Sequence, residues 1–128
     1  MDNFFIAGTT KTPEIDFKSD GTFLIKGNSY AENVGKFYLP LISWFDAMTL
    51  NKKSFKSLNI ELNYVNTSSI KQLLTIIKKI NALVGGKAKI NWVYEKGDED
   101  MLANGEDLQE LSELKFNFII KDTNTKSK

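Results

Sequence analysis

Two runs of alternating residues, separated by one run of helical spacing, constrain this chain more than anything else in it. Leu58, Ile60, Leu62 and Tyr64 alternate with Asn59, Glu61 and Asn63, the period-two pattern of a half-buried strand. Ala88, Ile90, Trp92 and Tyr94 repeat that pattern. Between them Ile70, Leu73, Leu74, Ile77, Ile80 and Val84 recur at three- and four-residue steps, with Lys71, Lys78 and Lys79 off the stripe. Gly85-Gly86 then supplies a left-handed stop for the helix. Strand, helix and strand in that order make a crossover, parallel and right-handed when both strands share a sheet.

The flanking segments extend this unit. Phe4-Phe5-Ile6 reads as a short strand, and residues 13–17 and 22–26 flank Ser19-Asp20-Gly21, a hairpin signal because glycine accepts the positive φ of the turn. Ser29-Tyr30-Ala31-Glu32 has capping-box spacing. It predicts a helix carrying Val34, Phe37, Tyr38, Leu41, Ile42, Trp44, Phe45 and Met48 on its core side. Pro40 lies inside that run and deletes one backbone donor, so a kink or a division into two pieces is expected. Residues 98–113 predict a loop and a short helix, and 116–120 a last strand. The expected fold is α/β: one mixed sheet with helices packed mostly on one face. A length of 128 residues suits one domain, taken as 1–121, with a polar tail over 122–128.

Composition then removes whole classes of chemistry. There is no cysteine and no histidine, which excludes thiolate nucleophiles, zinc-thiolate sites and Ser-His or Cys-His hydrolases. All 17 basic residues are lysines, so the bidentate guanidinium clamp for phosphate or guanine is missing. Against 16 acids the net charge is +1, which predicts neither a nucleic-acid scaffold nor a membrane-surface binder. No stretch approaches the apolar length of a membrane span, and the start lacks a secretory signal pattern, so a cytoplasmic address is expected. Charge is nonetheless segregated. Eight lysines face the single acid Glu61 between Lys52 and Lys89, and eight acids face the single base Lys96 between Glu95 and Glu113.

Three groups of residues invite a functional reading. Asn66-Thr67-Ser68-Ser69 lies where a strand's carboxyl end hands over to a helix, the edge at which ligands and switches gather in open α/β sheets. Taken alone, the cluster reads as helix caps before it reads as anything else. A phosphate added there would also meet the unpaired amides and the positive end of the macrodipole. The carboxylates Asp98, Asp100, Glu106 and Asp107 are the alternative, as metal ligands or an acid/base pair of a small enzyme. Their spacing does not match a calcium loop: counting from Asp98, Leu102 and Ala103 occupy the ligand and glycine positions. Trp44, Trp92, Tyr64 and Tyr94 fall on core-facing positions and read as packing rather than as a stacking platform. No metal or cofactor is called for.

Across nearly its whole length the chain resembles the SiaC-type regulatory phosphoproteins, a bacterial family related in fold to STAS domains. The shared features are Gly8-Thr9, Thr12-Pro13-Glu14-Ile15 and Gly27-Asn28-Ser29-Tyr30-Ala31-Glu32-Asn33, then Phe37-Tyr38, Trp44, Asn91-Trp92-Val93-Tyr94, Asp98-Glu99-Asp100-Met101 and Gly105-Glu106-Asp107. The specific part is Tyr64-Val65-Asn66-Thr67-Ser68-Ser69-Ile70-Lys71. Ala31 departs from the family's usual proline after Ser-Tyr, a change expected to touch only a helix start. The resemblance implies a STAS-like sandwich and a non-enzymatic switch in which Thr67 is the phosphoacceptor, flanked by Asn66, Ser68, Ser69 and Lys71. It implies a cognate Ser/Thr kinase and a PP2C-like phosphatase as partners. It also implies a diguanylate cyclase that the unmodified form binds and activates, in cyclic-di-GMP and biofilm control. STAS relatives that antagonise anti-sigma factors supply the alternative partner class.

Overall fold

The computed structural model describes residues 3–48, 55–84 and 88–122. Gly85-Gly86, read as a helix stop, and residues 123–128 of the polar tail lie outside them. Among the described residues nine elements follow in the order β1 (Phe4–Ile6), β2 (Glu14–Phe17), β3 (Thr22–Ser29), α1 (Val34–Met48), β4 (Ser57–Val65), α2 (Thr67–Leu83), β5 (Ile90–Glu95), α3 (Glu99–Ser112) and β6 (Phe116–Lys121). The six strands form one sheet in sequence order. β1, β2 and β3 pair antiparallel, and β3 through β6 pair parallel, each parallel step spanned by a helix. The expected mixed sheet is present. Among the described residues no helix is long and apolar enough to cross a membrane.

One core holds the layers together. Ile15, Phe17, Phe23, Ile25, Leu58, Ile60, Leu62, Ile90 and Trp92 from the sheet are buried with Tyr38, Leu41 and Phe45 of α1, Leu73, Ile76, Ile77 and Ile80 of α2, and Met101 and Leu108 of α3. α2 packs between α1 and α3. The opposite sheet face mixes a polar ladder with the apolar side chains of Phe5, Leu24, Val93 and Ile119, of which Phe5 and Ile119 are exposed. Asn117 donates to Asn91 at 3.1 Å, Asn91 donates to Asn59 at 2.7 Å, and Lys121 pairs with Glu61.

Four expectations need correction. Ser29 does not cap α1: it ends β3 and is buried, and α1 begins at Val34. Asn33 does that work, its side chain accepting from the Lys36 amide at 3.1 Å, so Ala31 lies before the helix start. Of the two outcomes expected at Pro40, division does not occur: α1 runs unbroken over 15 residues with Pro40 inside it. The acidic segment is a full 14-residue helix, with Asp98 accepting from the Met101 amide at 3.0 Å and Glu99 and Asp100 complementing the dipole in its first turn.

The fourth correction concerns Tyr64. β3 and β4 pair Gly27 with Leu62 and then Asn28 with Tyr64, so Asn63 is an extra residue in β4. Opposite it Gly27 has φ of 122°, open to glycine and strained for other residues. The slip inverts the alternation: Leu62 and Val65 are buried, whereas Tyr64 is 54% exposed and set edge-on to Tyr30 at 5.2 Å.

Gly105 of α3 lies against the Trp92 ring. A Cβ there would stand 2.5 Å from ring atoms, and the ring is held by a 2.9 Å hydrogen bond from its Nε1 to the Met101 carbonyl. Gly105→Ala should therefore destabilise the chain by about 1–2 kcal/mol, the overpacking penalty outweighing the helix propensity gained. Urea unfolding checks this: a gain in stability would contradict the packing described.

Candidate functional site

The site grows from the end of β4. Val65 is buried and anchors the strand terminus, and the Asn66 amide donates to the Ser29 carbonyl at 3.1 Å. Asn66 is extended (φ −96°, ψ 171°), and its side chain accepts from the Ser69 amide at 2.9 Å, the geometry of an N-cap. α2 follows at once, with Thr67, Ser68 and Ser69 in its first turn.

The three hydroxyls are not equivalent. Thr67 and Ser68 are exposed, as is Lys71 one turn further on. Ser69 is fully buried. Its Oγ accepts from Ser29 Oγ at 2.8 Å, and Ser29 Oγ lies 2.8 Å from the Tyr38 hydroxyl. Since Ser29 donates onward, Tyr38 donates to Ser29. Burial pushes the Tyr38 phenol up to about 12, so it keeps its proton. Three elements, α1, β3 and α2, are thus joined by one line of hydroxyls inside the core.

Thr67 faces α3 across a hollow. Asn66, Thr67 and Ile70 line one side and Asn104 and Asp107 the other, around a volume of about 160 Å³. Val65 and Asn104 also border a second hollow of about 320 Å³, edged by Tyr64, Asp98, Asp100 and Met101. Asp100, Asn104 and Asp107 follow the four- and three-residue steps of one helix face, which brings part of the acidic segment opposite the hydroxyl cluster. Glu106 is exposed and lines neither hollow. Among the described residues no group of three or more acidic side chains converges as a metal site would require. The sequence reading named Asn66, Thr67, Ser68, Ser69 and Lys71 for the switch, and they share one helix start. It missed Ser29 and Tyr38, whose only signal was a serine at a strand's end. It also missed Asn104, which the spacing of the acidic helix could have supplied.

A family model described as the SiaC family regulatory phosphoprotein matches residues 6–121. The chain belongs to that family. An uncharacterised protein of Pseudomonas aeruginosa strain UCBPP-PA14 is 30% identical over 120 residues, covering 91% of this chain and 94% of the relative. Among solved structures, apo-SiaC from Pseudomonas aeruginosa superposes with a TM-score of 0.75 at 25% identity, covering 94% of this chain and 99% of that one. A chain from the complex of the diguanylate cyclase SiaD with its activator SiaC, from the same organism, gives 0.78 at 26% identity, covering 92% and 99%. This SiaC family member shares the whole α/β architecture with those structures.

The buried hydroxyl line fixes which serine of the cluster stays inside. Ser29→Ala leaves both Tyr38 and Ser69 without their partner in the core and should cost about 1–3 kcal/mol. Thermal or urea unfolding measures this. Unchanged stability would show that the hydroxyls are satisfied in some other way.

Proposed function

We propose that this chain is a non-enzymatic regulatory switch in which reversible phosphorylation of Thr67 controls binding to, and activation of, a diguanylate cyclase. A cognate Ser/Thr kinase transfers the γ-phosphoryl of ATP to Thr67 Oγ1, and a PP2C-like phosphatase returns the hydroxyl by hydrolysis. The unmodified form is the partner-competent one. What carries the reading is the asymmetry of the first turn of α2: Thr67 exposed, Ser69 sealed. Membership of a family of regulatory phosphoproteins supports it, as does the complex of SiaC with the cyclase it activates.

The physics of the modified state follows from the surroundings. A phosphate carries close to two negative charges at neutral pH. Inside the hollow it would oppose Asp107, and like charges at short range in a partly enclosed space repel. Turned outward it meets the positive end of the α2 dipole, where the Ser69 amide is already held by Asn66, and Lys71 at i+4. In either position it changes the surface at the β4–α2 junction. A partner packed on that surface is displaced.

Site mapping by mass spectrometry after treatment with the cognate kinase and ATP tests the acceptor. A single phosphate on Thr67 is expected, lost in Thr67→Ala and retained in Ser68→Ala and Ser69→Ala. Phosphate that persists in Thr67→Ala would defeat the assignment.

A further inference from the structure

We propose that the groove formed by the two hollows beside Thr67 is a docking surface for a cationic, partly aliphatic protein segment. This names the chemistry of the partner at the same site, and so rests on the switch reading. The hollows share Val65 and Asn104, which makes them one groove between the β4–α2 junction and α3. Its floor is apolar: Val65 and Met101 are buried, and Ile70 lies at one end. Its walls carry Asp98, Asp100 and Asp107, and among the described residues no lysine lines either hollow.

Charge complementarity decides the occupant. An acidic or neutral segment would leave three carboxylates facing apolar atoms or like charge, whereas lysine or arginine side chains would meet them and lay their aliphatic stems on the floor. The Asn63 slip adds an aromatic wall. Tyr64, turned out of the core, exposes its ring at the groove's edge, where a cation could meet it. Among the described residues only acids, and no lysines, supply charge to the lining, so the groove is acidic in a chain of net charge +1. A phosphate on Thr67 attracts the segment's cations, so it displaces the segment only by occupying the end of the groove lined by Asn66, Ile70, Asn104 and Asp107.

A heteronuclear NMR titration of the full chain with a lysine–leucine peptide tests this. The amides of Tyr64, Val65 and Asn104 should shift, and a glutamate–leucine peptide should leave them still. Asp98→Asn with Asp100→Asn keeps an N-cap on α3 and should weaken the lysine–leucine peptide about tenfold. Glu106→Gln with Glu110→Gln removes equal charge outside the groove and should leave its affinity unchanged. Equal weakening by both pairs, or binding of the glutamate–leucine peptide, would overturn the docking surface. Thr67→Asp separates the two claims. If the peptide is retained in Thr67→Asp but lost in Asp98→Asn/Asp100→Asn, the docking surface stands without the switch. If it is lost in Thr67→Asp alone, the docking surface falls.

Discussion

A hydroxyl carried into a protein core is costly unless another polar atom meets it, and Tyr38, Ser29 and Ser69 meet one another. Their two 2.8 Å contacts tie α1 to the end of β3 and to the first turn of α2. The tie fixes how α2 begins. With Ser69 drawn inward and its amide held by Asn66, the 100° rotation per residue of a helix turns Thr67 and Ser68 to solvent. The exposure of Thr67 is therefore a consequence of what is buried two residues later.

Delivery of Ser29 and Ser69 to the same place depends on the sheet. The extra residue Asn63 opposite Gly27 shifts the register so that Ser29 pairs with Val65. Without that shift the ends of β3 and β4 would differ in length by one residue, and every side chain beyond Leu62 would change face. The same slip turns Tyr64 outward next to the hollow. One local irregularity thus does two things at the candidate site: it aligns the buried hydroxyls and it supplies the exposed ring.

Much of this was legible in the residues, and what was not had physical causes. The strand at 58–62, the stripe of α2 and the opening hairpin follow from burial on one face, a signal that periodicity carries directly. Tyr64 was misassigned because a bulge is a property of two strands together, and alternation in one strand cannot reveal an inserted residue. Ser29 was misassigned because serine serves a helix cap and a buried hydrogen bond equally well. Its true partner, Ser69, lies 40 residues away. The acidic segment reads as a loop and only a short helix because its few apolar residues are spread thinly. Its helix is held by the Asp98 cap, by Met101 and Leu108 in the core, and by a glycine that lets α3 approach Trp92. The switch residues were legible mainly through the family's motif. Their separation into exposed and sealed hydroxyls needed the fold.

Phosphate on a single surface threonine has leverage only where the neighbouring charges are already arranged to respond. Here Thr67 stands between the helix start and Lys71 on its own helix and Asp107 on the next, so a phosphate on it would change both the shape and the field of the groove mouth. The most direct measurement is calorimetric titration of the diguanylate cyclase from the same organism with the unmodified chain and with the chain stoichiometrically phosphorylated on Thr67. The account predicts tight binding by the first and affinity weaker by about tenfold or more for the second. Equal affinity of the two forms would contradict it.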